Sequence, residues 1–336
     1  MSTDRNNPKI VVILGPTTSG KSELAVKLAR RFDGEVISAD SRQVYAGVDL
    51  GSDKVPNEGR KELDVRRKKA ERKSNDYFYK GVRHHLIDVA SPKKIFTVVQ
   101  YKRVAEKAMR DILKRGRVPI IAGGTGLYID ALINNWKLPA VKPNLRLRRE
   151  LEKKTAEELF ARLRKLDPRR AKNIDRFNKR RLVRALEIVI DTGKSSHSNI
   201  LQNVRMFKYD VLPFDKAQDK NLPYEFLKIG ITVPVEELKR RIRKRTLQRL
   251  KGGIIQEMEN LIKAGVSKKR LNDISLYYRW VQFYLRGEMN QEKTVELIST
   301  KIGRYAKRQT TWFKRDKNIH WVTKSSEAEK LVKKFL

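Results

Sequence analysis

Short apolar runs alternate with amphipathic stretches through the first 130 residues of the chain. The first run covers residues 10–14, and the segment after it has apolar residues at helical spacing, namely Leu24, Ala25, Leu28 and Ala29. Further strand-like runs cover 35–39, 84–89 and 118–122. Buried strands that alternate with helices are typical of a parallel sheet. The pattern therefore predicts an α/β fold, an open parallel sheet flanked by helices.

The second half of the chain has a different pattern. Residues 143–205 are helical and strongly basic, with helices predicted over 145–153, 156–166, 168–174 with Asp167 as cap, and 179–191. An apolar strand returns at 227–232, and another long helical stretch covers 290–313. We expect three parts: a core over 1–142, a helical basic insertion domain over 143–205, and completion of the core with C-terminal helices over 206–336.

Residues 57–80 interrupt the core with a run of charged residues and few apolar ones. Such a composition predicts a solvated helix or loop that contributes charge and no chemistry.

Residues 15–22 match the P-loop pattern, a glycine, four residues, and then Gly-Lys-Ser. They follow an apolar run and precede a helical pattern, as the motif requires. Backbone N–H groups of such a loop bind phosphate, Lys21 reaches the outer oxygens, and Ser22 ligates a Mg²⁺ that shares them. The alternative is an ordinary glycine-rich turn. The predicted phosphate-binding residues are Gly15, Thr17, Thr18, Ser19, Gly20, Lys21 and Ser22.

Two polar clusters follow the second and fourth predicted strands. Asp40 comes directly after the strand at 35–39, and Thr125 lies in the glycine-rich loop 123–128 after the strand at 118–122. Because the carboxyl ends of parallel strands share one edge of a sheet, both clusters should lie beside the P-loop. Asp40 is thus either a catalytic carboxylate or a helix N-cap, and the glycine loop is either a ligand edge or a plain turn. At the end of the strand at 118–122 the chain has glycine where most P-loop ATPases and GTPases have a Mg²⁺-binding Asp. This difference weakens an interpretation of the chain as an ATPase or a GTPase.

The charge of the chain points to a polyanionic partner. Lys and Arg number 77 and Asp and Glu 39, a formal excess of 77 − 39 = 38 positive charges. RNA or DNA fits best, since each neutralised phosphate releases counterions, although a solvated basic surface is the alternative. The absence of cysteine excludes disulfides and thiolate zinc sites. With a polar start and no apolar run of membrane-spanning length, we expect a cytoplasmic protein without a membrane segment.

Two sets of arginines stand out at helical spacing. Arg241 and Arg245 lie one turn apart and could together bind a diphosphate. In the helix over 179–191, the apolar stripe leaves three arginines on the opposite side, which suits nucleic acid or simply solvent: Arg180, Arg181 and Arg184.

Taken in order, six stretches resemble the tRNA dimethylallyltransferase family, also called tRNA isopentenyltransferases, of the bacterial type. They are GPTTSGKS (15–22), ISADSRQVY (37–45), HHLIDV (84–89), GGTGLY (123–128), RLVRALEI (181–188) and RYAKRQTTWF (304–313). The resemblance implies a P-loop NTPase-like sheet with a helical insertion domain. It also implies transfer of a dimethylallyl group from its diphosphate to the exocyclic amine of the adenosine 3′-adjacent to the anticodon of tRNA. Mg²⁺ is the expected cofactor, and the anticodon stem-loop of tRNA and dimethylallyl diphosphate are the expected partners of a monomer.

Roles for individual residues follow from the same resemblance. It implies that Asp40 is the general base and that Thr125 lines the channel between donor and flipped base. Arg241 and Arg245 would contact the diphosphate together with the P-loop. The expected tRNA-binding residues are Asp40, Ser41, Arg42, Gln43, Thr125, Arg146, Arg180, Arg181 and Arg184. One departure is clear: where the family usually has Ile-Gly-Tyr, this chain has Leu276-Tyr277-Tyr278.

Three other functions stay open at this stage. A small-molecule or nucleotide kinase would consume ATP without RNA, and an adenylate prenyltransferase would accept free AMP or ATP. A non-catalytic RNA-binding P-loop protein would bind RNA without turnover.

Overall fold

The computed structural model describes residues 7–59, 77–136, 138–139, 141, 143–193 and 223–336. They divide into two units, one formed by the chain up to Ile133 and from Lys220 onward, the other by the segment between. Most of the charged segment 57–80 lies outside the described residues. Its last residues are not solvated loop, however: Tyr77–Tyr79 forms a strand in which Tyr77 and Phe78 are buried.

The first unit is built on a seven-stranded sheet. Its strands are β1 (Lys9–Leu14), β2 (Gly34–Ser38), β3 (Tyr77–Tyr79), β4 (Val82–His85), β5 (Val118–Gly123), β6 (Glu225–Ile231) and β7 (His320–Val322). The order is β3-β4-β2-β5-β1-β6-β7, and every neighbouring pair is parallel except β3 with β4. The predicted open parallel sheet is confirmed. The strand predicted at 84–89 begins at Val82 and ends at His85, because Leu86 turns to a positive φ of 63°.

Helices cover both faces of this sheet. In chain order they are α1 (Lys21–Arg31), α2 (Val98–Lys114), α3 (Gly126–Ile133), then α4 to α7 in the second unit, then α8 (Val235–Lys251), α9 (Ile254–Lys263), α10 (Lys268–Ile274), α11 (Leu276–Leu285), α12 (Gln291–Phe313) and α13 (Ser325–Phe335). Alternate residues of β1 enter two separate cores. Ile10, Val12 and Leu14 pack in the core that contains α2, α3 and α12, while Val11 and Ile13 pack with α1 and α13.

The two consecutive histidines, His84 and His85, have structural partners. His84 is buried against the Val82 carbonyl, and burial lowers the pKa of its imidazole to about 4. His85 contacts the buried carboxylate of Glu35 at 2.6 Å.

The second unit consists of four helices: α4 (Leu145–Glu152), α5 (Ala156–Leu166), α6 (Pro168–Ala171) and α7 (Lys179–Thr192). They surround a leucine-rich core of their own. The predicted cap is present, since the Asp167 carboxylate accepts from the Arg170 N–H, but α6 ends three residues before the predicted 174. Glu187 is fully buried, and both Arg148 and Arg184 donate to its carboxylate.

Among the helices that the structure describes, none combines the length and the apolar composition that a bilayer crossing requires.

Candidate active site

The P-loop joins β1 to α1 and has the backbone that phosphate binding requires. Gly15 and Gly20 have positive φ values of 152° and 95°, and Thr18 has one of 60°. These values turn the chain so that α1 begins at Lys21 with its N-terminus facing the loop. The Lys21 ammonium folds back onto the Pro16 carbonyl at 2.6 Å. The pKa of Lys21 is lowered to about 8, mainly by burial and to a smaller extent by Arg245, while Asp40 and Asp53 oppose the change.

Asp40 follows β2, as predicted, and its carboxylate is held by its own turn. The Arg42 N–H donates to Asp40 Oδ1 at 2.8 Å. Burial raises the pKa of Asp40, against the opposing effects of Arg42 and Lys21. A carboxylate with a raised pKa is a stronger base than one in water, so the site favours proton acceptance at Asp40.

Thr125 ties the loop after β5 to the loop after β2. Its hydroxyl accepts from the Ser41 N–H at 3.0 Å and lies 3.3 Å from the Ser41 hydroxyl, while its own N–H donates to the Ala39 carbonyl at 3.1 Å. The two polar clusters predicted from the sequence therefore meet at one edge of the sheet. Gln43 is also engaged, since its amide accepts from Ser38 and donates to the Asp53 carbonyl.

A cavity of about 420 Å³ opens at this edge. The predicted site residues that line it are Thr17, Thr18, Gly20, Lys21, Ser22, Asp40, Arg42, Gln43, Arg241 and Arg245. Gly15, Ser19, Ser41 and Thr125 are not among its lining residues.

The arginines of α8 reach the cavity with different partners. Arg241 donates to Glu237 within the helix at 2.7 Å, whereas the Arg245 guanidinium lies 3.2 Å from the Asp53 carboxylate. Asp53 also pairs with Arg249 at 2.7 Å and accepts from the Thr17 hydroxyl at 3.3 Å. The sequence analysis did not identify Asp53, because its position near these groups arises only from tertiary contacts.

The glycine loop after β5 is shaped by the protein itself. A Cβ at Gly123 would lie 2.2 Å from the Ala39 carbonyl oxygen. A Cβ at Gly124 would lie 2.3 Å from Gln309 Nε2, and one at Gly126 would lie 2.2 Å from Trp312 Nε1. The groups that come close to these glycines are thus Ala39, the residue after β2, and two side chains of α12.

Aromatic residues form another wall of the cavity, and the sequence analysis did not place them there. Tyr277, at the departure from the family pattern, is buried and lines the cavity beside Leu276. Tyr278 points away and donates to Glu257 at 2.6 Å. Tyr305 also lines the cavity, with the Arg42 guanidinium 5.6 Å from its ring centre. A cavity with charged residues on one wall and aromatic residues on another suits a ligand with an anionic end and a hydrocarbon end.

The predicted tRNA-binding arginines of the helical unit differ in exposure. Arg146 is almost fully exposed, with Glu150 at 3.6 Å, and Arg180 is exposed. Arg181 is half-buried. Arg184 departs from the predicted exposed basic face, because it is half-buried and donates to the Val141 carbonyl as well as to Glu187.

The donor groups at the cavity are hard oxygen ligands. Over the described ranges, no cluster of three or more His, Cys, Asp or Glu residues could hold a metal ion. The Ser22 hydroxyl and the Asp40 carboxylate both line the cavity. This set fits Mg²⁺, which commonly takes one or two protein ligands and completes its shell with substrate phosphates and water.

The chain is similar to known proteins over nearly its whole length. A family model described as "IPP transferase" matches residues 43–316, and one described as "Isopentenyl transferase" matches residues 8–67. A tRNA dimethylallyltransferase of Acetivibrio thermocellus is 36% identical over 331 residues, which cover 96% of this chain and 95% of that protein. One from Pelotomaculum thermopropionicum is also 36% identical, over 96% of this chain and 93% of that protein. The crystal structure of a tRNA isopentenylpyrophosphate transferase from Bacillus halodurans is 30% identical, with a TM-score of 0.63 over 98% of this chain and 96% of that one.

Proposed function

The chain belongs to the IPP transferase family, and from that premise we propose that it transfers a dimethylallyl group from dimethylallyl diphosphate to tRNA. The acceptor is the exocyclic amine of the adenosine 3′-adjacent to the anticodon, and diphosphate is released. One observation carries the proposal: the P-loop, the Asp40 carboxylate and the arginines of α8 line a single cavity.

The diphosphate end of the donor binds at the P-loop. The N–H groups of the loop, the Lys21 ammonium and the guanidiniums of Arg241 and Arg245 stabilise the negative charge that grows on the leaving oxygens. At pH 7 a pKa of about 8 leaves Lys21 mostly protonated, and an anion beside it favours the charged form further. Ser22 would hold Mg²⁺, which would supply further charge neutralisation when bound.

The adenine reaches Asp40 from the other side of the cavity. The exocyclic amine is a poor nucleophile because its lone pair is delocalised into the ring, so a base that accepts its proton as the new bond forms assists the attack. Asp40 supplies that base, and Arg42 and Gln43, which line the cavity with it, contact the adenine. Ser41 and Thr125, which do not line the cavity but are hydrogen-bonded to each other next to Asp40, are the proposed contacts along the channel by which the adenine enters. The base must leave its stack, which is feasible in an anticodon loop at a cost of about a few kcal/mol.

The helical unit contributes affinity for the tRNA. Arg146, Arg180 and Arg181 are proposed phosphate contacts, in keeping with the large positive charge of the chain, whereas Arg184 is engaged by Glu187 and the Val141 carbonyl. Because the acceptor is tRNA, we propose that the protein acts in the cytoplasm, and that it does so as a monomer.

The test uses the full chain with Mg²⁺, dimethylallyl diphosphate and an unmodified tRNA transcript whose anticodon is followed by adenosine. Mass spectrometry after nuclease digestion should find prenylated adenosine at that position and nowhere else. Prenylation of free AMP would favour an adenylate prenyltransferase. Consumption of ATP without RNA would favour a kinase, and tight binding of tRNA without product would favour a non-catalytic RNA-binding protein.

Asp40→Asn should lower kcat by about 10²–10⁴-fold, the usual contribution of a general base, and leave tRNA affinity nearly unchanged. Asp33→Asn is the matched control, because Asp33 is an exposed carboxylate before the amino end of the same strand and Asn tolerates its positive φ of 46°. Equal loss of turnover and of tRNA affinity in Asp40→Asn would refute its role as the base.

A further inference from the structure

One side chain from the last third of the chain connects the two sides of the cavity. The Thr17 N–H of the P-loop donates to Gln309 Oε1 at 2.8 Å, and Gln309 Nε2 donates to the Gly124 carbonyl at 2.7 Å. Gln309 is buried, with 6% of its surface exposed, and it lines the cavity. Its amide is thus a single bridge between the loop after β1 and the loop after β5.

The Gln309 bridge lies just beyond the last paired residues of β1 and β5. β1 and β5 are paired in parallel, and the last paired residues are Leu14 and Gly123. Beyond that point, among the residues that the structure describes, no ladder hydrogen bond joins one loop to the other. The Gln309 amide supplies the next connection, since it has both the acceptor that Thr17 needs and the donor that Gly124 needs.

The same helix is fixed to α3, the helix that follows the glycine loop, about one turn later. Trp312 Nε1 donates to the buried Asp130 carboxylate at 2.8 Å, and the indole occupies the space above Gly126. α12 also packs against α8, the helix that carries Arg241 and Arg245. A single rigid helix therefore contacts the P-loop, the Thr125 loop and the arginine helix.

We propose that Gln309 is a positioning residue that sets the distance between the diphosphate-binding P-loop and the Asp40–Thr125 side of the cavity. This inference rests on the proposed function. The leaving diphosphate and the proton-accepting carboxylate lie on opposite sides of the reacting carbon, so the two loops must keep a fixed separation during the reaction. A misplacement of about 1 Å between reacting groups can lower a rate by about 10²-fold.

Two substitutions separate positioning from binding. Gln309→Met keeps the length of the side chain and removes both hydrogen bonds, so kcat should fall by about 10²-fold. The Kd for inorganic diphosphate should change less than about threefold, because the loop N–H groups and Lys21 remain in place. A kcat within about twofold of wild type, or a loss of diphosphate affinity that matches the loss of kcat, would overturn the proposal.

Gln309→Glu gives a signature that a merely structural role would not. A protonated Glu donates to Gly124 and accepts from Thr17, as the amide does, whereas the carboxylate has no donor and faces the carbonyl. The ratio of variant to wild-type kcat should therefore fall by about tenfold or more between about pH 5.5 and 8.5, since burial raises a carboxyl pKa into that range. The exposed Gln256→Glu on α9 adds the same charge and should give a flat ratio. A flat ratio for Gln309→Glu refutes the role, and it tests the role even if Gln309→Met does not fold.

Amide hydrogen exchange tests the hydrogen bond between Thr17 and Gln309 in the absence of substrate. Thr17 should exchange about tenfold faster or more in Gln309→Met than in wild type, while residues of α13 exchange alike. Unchanged exchange at Thr17 would refute the bridge. A wild-type chain that prenylates no tRNA, with faster Thr17 exchange in the variant, would instead refute the proposed function and leave the bridge in place.

Discussion

The glycine at the start of α3 is the sharpest test of how α12 shapes the site. In Gly126→Ala, the new Cβ would lie 2.2 Å from Trp312 Nε1, 2.3 Å from its Cδ1 and 2.7 Å from its Cε2. Real Cβ atoms do not approach so closely, and the indole is a rigid ring that cannot bend away. Trp312 must therefore move and release its hydrogen bond to Asp130.

The cost can be estimated from two contributions. Overpacking of a buried position costs about 1–3 kcal/mol. Removal of the donor from the buried Asp130 carboxyl costs about another 1–3 kcal/mol. We expect Gly126→Ala to lower the free energy of unfolding by about 2–6 kcal/mol, the sum of the two contributions, measured by urea denaturation at neutral pH. Turnover should fall as well, since Thr125 directly precedes the substituted residue, Gly126.

Gly303→Ala is the matched control in the middle of α12. A Cβ there meets nothing within 4 Å, and the same substitution should stabilise the helix by about 0.5–1 kcal/mol. A second control removes the obstacle: in a Trp312→Ala background, Gly126→Ala should cost less than about 1 kcal/mol. Equal effects of Gly126→Ala in both backgrounds would refute the steric argument.

Two further outcomes are expected. Burial raises the pKa of Asp130 to about 7, above the value of about 3.9 in an unfolded chain. Between those two pH values the carboxyl is therefore protonated in the native state and ionised in the unfolded state. The free energy of unfolding should then fall as pH rises from about 4 to 7, by at most about 4 kcal/mol, and Asp130→Asn should flatten this slope in urea titrations; an unchanged slope would contradict it. Arg245→Gln should raise the Kd for inorganic diphosphate by about 10–100-fold in calorimetry, while Arg240→Gln, an exposed arginine paired with Glu237, should not. Equal Kd values for the two variants would exclude Arg245 from the diphosphate site.

The sheet and its helices could be predicted because they depend on local patterns. The run at 10–14 is β1, and the charged and apolar periodicity of 290–313 corresponds to α12, which starts after its Asn290 cap. β3 could not be predicted, because three residues after a charged segment carry no periodicity of their own. It exists only because β4 pairs with it.

The site could be predicted as far as chain order allows. Asp40 and the P-loop meet because parallel strands end at one edge, a rule that needs no side-chain detail. Asp53 and Gln309 lie outside that rule, since each acts through partners hundreds of residues or several elements away. The loop glycines show the same limit. Glycine in the sequence permits a close contact without identifying the partner, and the structure shows that side chains of α12 contact Gly124 and Gly126.

The contact between Thr17 and Gln309 spans 292 residues. During synthesis at about 5–20 residues per second, the P-loop therefore leaves the ribosome roughly 15–60 s before its partner exists. β1 and β2 can both pair with β5 once residue 123 has emerged, but the P-loop stays without its bridge until α12 has emerged and docked. A nascent chain could thus bind a phosphate early, whereas the arrangement that supports turnover comes among the last steps of folding.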